Sequence, residues 1–313
     1  MAKASAKNAP NMVADPVRVK PCIDFHFHSV YSNDAFGAPG RYIALAAASQ
    51  VVAIAPTEHD NTDSLAVYVR EAAAQKAALK IYSGVEIDTL SDRWGHFHML
   101  AFFFDPAHAG LQAILQREVA GGMTRLEAVA ERMRAAGEKI DLPAAYELYR
   151  QPNPGRAVGP KALWHWLQAT GRTDTLEAAK DLYNKFGQAV PVDHRSTDIQ
   201  VVIDTVHAAG GVTILAHPAR DYTEADIDAM VRLGLDGVEV FHMAKVEYMN
   251  LWRSVCQRKG LPMTGGSDNH GVVGPDQNPW PTYAPAHLLE PLFKAAEKRH
   301  GKTPQPLYDG LAR

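Results

Sequence analysis

The chain has 313 residues with a formal net charge of −3, 14 histidines and two cysteines. This length can hold one large α/β domain or two smaller ones with a substantial hydrophobic core. The weak net charge excludes a strong overall attraction to nucleic acid, although a short oligonucleotide could still bind a local basic cleft. Two cysteines argue against a disulfide framework and favour a reducing compartment, and the excess of histidine favours imidazole and carboxylate ligands for any metal.

Two features of the sequence predict a cytoplasmic protein without a membrane segment. The longest apolar segment, Met99 to Phe104, is far shorter than the ~20 residues that a helix needs to cross a bilayer. Residues 1–20 carry Lys3 and Lys7 but lack the apolar stretch of a secretory signal, so we expect them to form a disordered tail.

From residue 21 onward, short apolar runs typical of strands alternate with amphipathic patterns typical of helices. Seven of these runs end in a residue type that ligates metals. They cover residues 23–28, 52–59, 81–86, 96–100, 212–217, 237–242 and 263–270. Strands separated by helices predict a parallel sheet or barrel, and catalytic groups collect at the carboxyl edge of such sheets. The third and fourth runs are joined only by the short segment 89–95.

Strand patterns are absent between residues 105 and 194, where helical patterns replace them. The predicted helices cover 109–120, 124–136, 142–150, 161–170 and 175–186, with a proline- and glycine-rich break at 152–155. A capping-box sequence that begins at Thr124 predicts the start of the second of these helices. We interpret the segment as an all-helical insertion that could cover a substrate.

The predicted domain division follows from these patterns. After the insertion, the alternation resumes with a helix at about 198–209 and continues to residue 271. The expected units are a tail (1–20), the first part of a barrel (21–104), a helical insertion or cap (105–194), and the second part of the barrel with a C-terminal helix (195–313).

His26 and His28 form the first candidate metal-binding pair. Positions i and i+2 of a strand point to the same side, so both imidazoles can face one ion, while Phe27 packs on the other side. Asp34 lies in the polar loop that follows and could fold back over the strand end. An Asx-turn is the simpler interpretation of Asp34 considered alone.

Carboxylates and a histidine follow the second and third strands. Glu58, His59 and Asp60 are consecutive and cannot all share a face, so we expect at most two of them to bind metal. An acidic cluster at a helix N-terminus is the alternative. Glu86 ends an apolar run, and a buried carboxylate is costly unless it is paired or bound to a cation. An ion pair with Arg93 and a bridge between two ions are both consistent with this position.

The remaining runs add further candidate ligands. His96 and His98 repeat the i, i+2 spacing, His217 closes the fifth run, and Asp268 with His270 closes the seventh. Each of these residues alone has a structural explanation. Ligand-type residues at nearly every strand end are, however, hard to reconcile with ordinary core packing. The whole set therefore predicts a metal centre with more than one ion.

In order and spacing, the motifs resemble those of the polymerase and histidinol phosphatase (PHP) superfamily over residues 23–104 and 196–272. The matching motifs are His26-x-His28, Glu58-His59-Asp60, Gly84-x-Glu86, His98, His217-Pro218 and Ser267-Asp268-x-His270. The resemblance implies an α/β fold, a distorted (β/α)7 barrel of the PHP type with a helical insertion between strands 4 and 5. It also implies two or three divalent metal ions (Zn, Mn or Fe) and hydrolysis of phosphoesters.

The resemblance further implies three groups of metal ligands. The first group is His26, His28, Glu86 and Asp268; the second is Glu86, as a bridge, with His98 and His217; the third is Asp34, His59 and His270. His96 matches no ligand position of the family.

Two local sequences depart from the small phosphoesterases that the chain resembles most. The loop after His28 reads Ser32-Asn33-Asp34-Ala35 where many members have Ser-Asp-Gly, which concerns the third ion. In the insertion, residues 158–163 read Val-Gly-Pro-Lys-Ala-Leu where an Arg-x-His segment for phosphate contact is expected. The sequence therefore leaves the identity of the substrate open.

These features predict a metal-dependent phosphoesterase that acts on a small phosphate ester, such as a nucleotide or another phosphorylated metabolite. The predicted nucleophile is a metal-bridging hydroxide, because the pKa of a zinc-bound water falls to about 7. An amidohydrolase-like enzyme that cleaves a C–N or C–O bond is one alternative, although Glu86 stands where a carbamylated lysine would be expected. A non-catalytic accessory domain that metal ions only stabilise is the other.

Several residues are candidates for the remaining steps of the reaction. The possible proton donors to the leaving group are Asp60, His194 and His242, and the sequence does not choose among them. His242 ranks low as a metal ligand because it does not share a period-two strand face with Glu239. Four cations could hold a second anionic group, although a solvated surface charge is the simpler interpretation of each. These are Lys161, Arg156, Arg195 and Arg220.

Overall fold

The computed structural model describes residues 21–49, 51–151, 157–190, 197–218, 222–242, 246–271 and 284–312. The predicted tail at 1–20 therefore lies outside the described residues. The strands are β1 (Cys22–Asp24), β2 (Val51–Ile54), β3 (Lys80–Ile81), β4 (Gly84–Ser91), β5 (Gly95–Phe102), β6 (Thr197–Asp198), β7 (Val212–Leu215), β8 (Gly237–His242), β9 (Met263–Gly266), β10 (Ala284–Pro285) and β11 (Tyr308–Asp309).

Ten helices lie among these strands in the described ranges. They are α1 (Pro39–Ala48), α2 (Ser64–Gln75), α3 (Ala109–Ala135), α4 (Leu142–Arg150), α5 (Pro160–Ala169), α6 (Leu176–Gly187), α7 (Ile199–Ala208), α8 (Glu224–Leu233), α9 (Val246–Lys259) and α10 (Leu289–His300). No helix in the described ranges has the length and apolar character that a bilayer span would require.

The strands form two sheets of mixed direction, which confirms the α/β class. The first sheet has the order β10-β1-β2-β3-β11, and the second has the order β6-β4-β5-β7-β8-β9. Strands β1, β2 and β3 are parallel, as are β7, β8 and β9. Alternation of strands with helices produces these parallel runs, because a helix carries the chain back to the starting edge.

The predicted parallel direction does not hold for β5. This strand pairs antiparallel with both β4 and β7. Only residues 92–94 separate β4 from β5, and so short a link allows a hairpin but not a crossover. A hairpin reverses the chain direction, and His98 therefore reaches the metal-ligand cluster from the middle of β5 and not from its carboxyl end.

Backbone hydrogen bonds join the two sheets on both sides. Between β1 and β9, the N–H of Phe25 donates to Gly265 O (3.1 Å) and the N–H of Asp268 donates to His26 O (2.7 Å). Beyond β2, the N–H of Asp60 donates to Glu86 O (2.9 Å). These bonds bring the carboxyl ends of β1, β2 and β9 close to the first residues of β4.

The helical segment between β5 and β6 has an apolar core of its own. Leu126, Met133, Leu163, Trp166 and Tyr183 belong to one buried cluster contributed by α3, α5 and α6. The sheets contribute to other buried clusters, one of which contains side chains from both sheets. The second half of α3 thus packs with α4–α6, whereas its first half, with Leu111 and Leu115, packs in a cluster with side chains of the second sheet.

The predicted helix start at Thr124 is wrong. Helix α3 runs without interruption from Ala109 to Ala135, and the Thr124 hydroxyl donates to Ala120 O (2.9 Å) instead of capping a new helix. Buried leucines at 111, 115 and 126 lie along the length of this helix, so its packing outweighs the two consecutive glycines in its middle.

Candidate metal centre

The structure brings all nine predicted metal ligands to one site. They come from the ends or following loops of β1, β2, β7 and β9, and from within β4 and β5. Eight of them belong to overlapping groups in which ligand atoms lie within 4.8 Å of one another, and the ninth, His217, lies 3.1 Å from Glu86. The polar site lies beside the cluster of apolar side chains that fills the space between the two sheets.

The first group contains two imidazoles and two carboxylates. His26 Nε2 lies 3.3 Å from both Glu86 Oε2 and Asp268 Oδ1, and His28 Nε2 lies 3.2 Å from the same two oxygens. Both imidazole nitrogens are buried and have no hydrogen-bond partner. Ligands held about 2.1 Å from one tetrahedral ion lie about 3.4 Å apart. The spacing of the four atoms therefore fits a shared divalent ion, which would also satisfy the two nitrogens.

A second group lies on the other side of the Glu86 carboxylate. Glu86 Oε1 lies 2.9 Å from His98 Nδ1 and 3.1 Å from His217 Nε2, and these two nitrogens lie 3.3 Å apart. One oxygen of Glu86 thus faces the first group and the other faces the second. This is the arrangement that the predicted bridging role requires.

The third group is centred on Asp34, which does fold back over the end of β1. Asp34 Oδ1 lies 3.5 Å from His59 Nε2, and Asp34 Oδ2 lies 3.2 Å from His270 Nε2. His28 also lies within this group, and Asp34 Oδ1 is buried without a hydrogen-bond partner. The unusual loop sequence at 32–35 therefore still supplies a carboxylate that could hold an ion.

Imidazoles and carboxylates at these distances shift one another's proton affinity. Burial raises the pKa of Glu86, but His98, His26 and His59 lower it by more, so that it lies well below its usual range. Burial lowers the pKa of His59, while Asp34 and Glu86 raise it to about 9. The carboxylates are therefore ionised at neutral pH, as metal ligands must be, and a bound cation would take the place of protons on the imidazoles.

Several candidate ligand imidazoles are held in place by hydrogen bonds to the ring nitrogen that does not face the ligand group. His26 Nδ1 lies 2.9 Å from Glu239 Oε1, His28 Nδ1 lies 3.0 Å from Ser32 Oγ, and His98 Nε2 lies 3.1 Å from Asp88 Oδ1. Each contact uses the ring nitrogen that points away from its ligand group. Partners of this kind set the tautomer and raise the basicity of a ligand histidine.

Glu58 has a supporting role and does not belong to any of the three groups. Its carboxylate accepts hydrogen bonds from the N–H of Ser29 (2.9 Å) and from the hydroxyls of Ser29 and Ser32 (2.7 Å for Ser32). These bonds fix the start of the loop that carries Asp34. Of the three consecutive residues 58–60, His59 lies in a ligand group.

The backbone is strained where the site is built. Asp60, His217 and Asp268 have φ values of 52°, 25° and 47°. A positive φ is unfavourable for residues other than glycine and persists where the surroundings enforce it, often at functional sites. In two of the three cases the strained residue is itself a candidate ligand.

The other predicted residues are placed as follows. Asp60 is buried and its Oδ1 accepts the N–H of Asp88 (2.9 Å). His242 is 2% exposed and its Nε2 lies 3.0 Å from Asp268 Oδ2. The ammonium of Lys161 donates to Asp34 O (2.9 Å). The remaining candidates lie outside the described residues. They are His194, Arg156, Arg195 and Arg220.

Three buried or half-buried carboxylates at the site were not among the predicted site residues. Asp88 lies two residues after Glu86 on one strand, and Asp24 lies two residues before His26, so the i, i+2 rule already used for the histidines could have found both. Asp24 accepts the Ser267 hydroxyl (2.7 Å), and burial raises its pKa to about 7 against the lowering effect of that bond. Glu239 was missed for a different reason, which lies in the geometry of β8.

The comparison with protein families agrees with this geometry. Residues 24–113 match the model of the PHP domain. Over this range, the chain is similar to the PHP domain. The matched range holds six of the nine candidate ligands, from His26 to His98, and the other three follow helix α7.

Curated proteins similar to this chain are named for acting on phosphate esters. The chain is 28% identical over 197 residues to the 5′-3′ exoribonuclease Rnm of Salmonella typhimurium, covering 63% of this chain and 65% of that protein. It is 27% identical to the 3′,5′-nucleoside bisphosphate phosphatase of Chromobacterium violaceum, covering 88% and 97%. It is also 27% identical to the phosphoribosyl 1,2-cyclic phosphate 1,2-diphosphodiesterase of Eggerthella lenta, covering 80% and 95%.

Two solved structures share the fold. A protein of Bifidobacterium adolescentis, described as a candidate metal-dependent phosphoesterase, superposes with a TM-score of 0.72 at 24% identity, covering 87% of this chain and 95% of that one. A Chromobacterium violaceum protein described as an amidohydrolase superposes with a TM-score of 0.70 at 24% identity, covering 90% and 98%. At this identity, the likeness shows a shared fold and nothing about function.

Proposed function

We propose that the protein is a metal-dependent phosphoesterase that hydrolyses a small phosphate ester, either a nucleotide or another phosphorylated metabolite. The observation that carries the proposal is the pair of buried, unpartnered Nε2 atoms of His26 and His28, which face Glu86 and Asp268 at 3.2–3.3 Å. Such an arrangement is costly without a cation. The choice of a phosphoester as substrate is supported by relatives named for cleaving RNA, a nucleoside bisphosphate and a cyclic phosphate.

The residues fit two or three divalent ions. Imidazole and carboxylate ligands suit Zn, Mn and Fe, and no cysteine of the described chain lies in a ligand group. The chemistry that bound ions supply is activation of water near neutral pH and neutralisation of charge on the phosphoryl group. Glu86 would hold two ions at a fixed separation, since its two oxygens face different ligand groups.

The chain's own residues would supply the leaving group with a proton. Asp60, His194 and His242 remain the candidates. His242 is almost fully buried and its Nε2 contacts Asp268, which favours a positioning role over proton donation. Asp60 borders the site, directly after the candidate ligand His59.

The helices α3–α6 would act as a cap. Three hydrogen bonds connect this segment to the loop that carries Asp34: Tyr149 hydroxyl to Asn33 O (3.0 Å), Ala157 N–H to Val30 O (3.0 Å) and Lys161 to Asp34 O. Lys161 is partly exposed at this boundary and is therefore placed to attract an anionic substrate. Arg156, Arg195 and Arg220 remain proposed contacts for a second anionic group.

We also interpret the two sheets as one distorted seven-stranded barrel with the cap inserted after β5. The hydrogen bonds between β1 and β9, and between the segment after β2 and Glu86, support this interpretation because they join the sheets on both sides. Residues 21–104 and 195–313 would then be the two parts of the barrel, as the predicted division has it.

A metal analysis combined with a substrate panel tests the proposed function. The protein would be purified with Mn²⁺ or Zn²⁺, its metal content measured by elemental analysis, and phosphate release followed with p-nitrophenyl phosphate, nucleoside bisphosphates, a cyclic phosphate and a short 5′-phosphorylated RNA. We expect about two or three ions per chain and turnover of at least one ester. Cleavage confined to amide or lactone substrates would favour the amidohydrolase alternative. Bound metal without any hydrolysis would favour the accessory domain.

A further inference from the structure

Strand β8 contains a bulge directly beside the candidate metal centre. Glu239 is paired with Thr264 and Phe241 with Gly265, so Val240 has no partner of its own on β9. An extra residue changes the side to which the following side chains point. Glu239 and His242, three residues apart, consequently point to the same side, where ligand atoms of His26, Glu239 and His242 lie within 4.8 Å of one another.

The Glu239 carboxylate, which is fully buried, contacts residues of two different ligand groups. Its Oε1 lies 2.9 Å from His26 Nδ1, and its Oε2 accepts the backbone N–H of His217 at 2.7 Å. An ionised carboxylate can only accept, so Glu239 holds a proton on His26 Nδ1. Nε2, which faces Glu86 and Asp268, is then the nitrogen that would bind a cation.

The second contact of Glu239 acts on a strained position. His217 has a φ of 25°, an unfavourable conformation that directs its Nε2 to within 3.1 Å of Glu86 Oε1. The hydrogen bond from its own N–H to Glu239 holds the backbone in this conformation. One buried side chain thus connects the ring of a first-group ligand with the backbone of a second-group ligand.

We propose that Glu239 is a positioning residue that fixes the tautomer of His26 and the backbone of His217, and thereby sets the metal affinity of both ligand groups. This inference rests on the metal centre of the proposed function and assigns a role to a residue outside the ligand set. Support from a carboxylate behind a ligand histidine changes metal affinity by about 10–100-fold in other metal sites.

The chain offers a matched control for a Glu239 variant. Asp236 is also a buried carboxylate close to β8, and it too contacts an imidazole (His207 Nε2, 2.8 Å) and a backbone N–H (Thr213, 2.9 Å). It lies before the start of β8, at the opposite end of the strand from His242. Asp236→Asn therefore destabilises the fold through the same kinds of bond without touching a candidate ligand.

The experiment compares Mn²⁺ binding by the metal-free wild type, Glu239→Gln, Glu239→Leu and Asp236→Asn using calorimetry. We expect the Glu239 variants to bind about 10–100-fold more weakly and Asp236→Asn to stay within about twofold of wild type. Imidazole ¹H–¹⁵N resonances of the Zn²⁺-loaded proteins provide a second readout, with His26 assigned through a His26→Gln variant. The His26 Nδ1 proton should lie far downfield in wild type, because it donates to the Glu239 carboxylate, and should move upfield in Glu239→Leu.

Each outcome bears on a distinct claim. Folded Glu239 variants that bind Mn²⁺ as tightly as wild type would overturn the positioning role while leaving the metal centre intact. An equal loss of affinity in Asp236→Asn would also overturn it, because the effect would then be general destabilisation. Failure of the wild type itself to bind Mn²⁺ or Zn²⁺ would overturn the proposed function together with this role. Thermal unfolding of each variant identifies those that are folded.

Discussion

At the scale of single residues, Glu86 is the centre of the site. Its Oε2 lies 3.2–3.3 Å from nitrogens of His26, His28 and His59, and its Oε1 lies within 3.1 Å of nitrogens of His98 and His217. Among the described residues, these five imidazoles are the ion-pair partners of Glu86. The alternative partner that the sequence left open, Arg93, pairs with Asp226 instead.

Replacing this carboxylate should disable the metal centre. In Glu86→Gln, an amide would take the place of the charge that faces both groups, so we expect loss of at least one bound ion and a fall in turnover of more than about 100-fold. Elemental analysis and phosphate release measure the two effects. Glu290→Gln on the exposed side of α10 is the control and should behave as wild type. An active, metal-replete Glu86→Gln would refute the bridging assignment.

A buried carboxylate away from the metal centre makes stability depend on pH. Burial raises the pKa of Asp236, but His207, Thr213 and Arg299 lower it by more, so the folded-state pKa lies below the ordinary value. The stabilisation by Asp236 is therefore fully present above the unfolded-state pKa of about 3.9 and is lost as the pH falls through the folded-state pKa.

The lowered pKa of Asp236 predicts how the stability of Asp236→Asn should depend on pH. At pH 7 the substitution should lower the free energy of unfolding by about 2–4 kcal/mol, because it removes one partner of a buried, hydrogen-bonded ion pair. Below about pH 4 the difference from wild type should shrink. Urea unfolding at pH 7 and pH 3 measures both values. A difference that is unchanged by acid would show that the charge of Asp236 contributes nothing.

At the scale of elements, the bulge in β8 depends on the absence of a side chain on β9. A Cβ at Gly265 would collide with the backbone oxygen and Cβ of Phe241, the residue that follows the bulge. Since backbone cannot move aside as a flexible side chain can, the two strands could keep their present register only with Gly at 265.

A pair of glycine substitutions tests this dependence. Gly265→Ala should destabilise the protein by about 2 kcal/mol or more through overpacking and should weaken Mn²⁺ binding, because β8 carries Glu239 and His242. Gly122→Ala in helix α3 has open space around its Cβ and should instead stabilise by about 0.5–1 kcal/mol. Thermal unfolding and calorimetric titration measure these effects. If folded Gly265→Ala binds Mn²⁺ as tightly as wild type, the bulge in β8 does not determine the metal affinity.

At the scale of the whole molecule, the C-terminal segment completes the first sheet. Strand β10 pairs with β1, and β11 pairs with β3, so residues after 283 occupy both edges of that sheet. Tyr308 is buried against α2 and its hydroxyl donates to Ala77 O (3.1 Å). An edge strand that is paired no longer presents free backbone groups.

The contribution of this segment can be measured at Tyr308. Tyr308→Ala removes a buried aromatic ring and should lower the free energy of unfolding by about 3–5 kcal/mol. Tyr308→Phe removes only the hydroxyl and should cost about 1 kcal/mol. Because Tyr308 lies far along the sheet from the ligand groups, both folded variants should bind Mn²⁺ as wild type does. Denaturant unfolding measures the stability of both variants, and metal titration measures their Mn²⁺ affinity. A small loss of unfolding free energy in Tyr308→Ala would mean that β11 contributes little to stability.

Much of the site could be predicted because its chemistry follows local rules. Histidines two residues apart on a strand face one side whatever the partner strands are, and a carboxylate at the end of an apolar run requires a partner wherever the run is placed. His26, His28 and Glu86 were found in this way. Helices α4–α7 were placed within about two residues of their structural ends for the same reason, since helical periodicity is also local.

Relations between distant segments were decided only by the tertiary structure. The bulge that turns Glu239 and His242 to one side exists only relative to β9, and the contact of Glu239 with His26 joins residues 213 positions apart. The reversed direction of β5 and the unbroken course of α3 likewise depend on what packs against them. The sequence by itself determined which residues could bind metal and the order of most elements. Strand register and chain direction emerged from non-local pairing and packing energies, which no local pattern encodes.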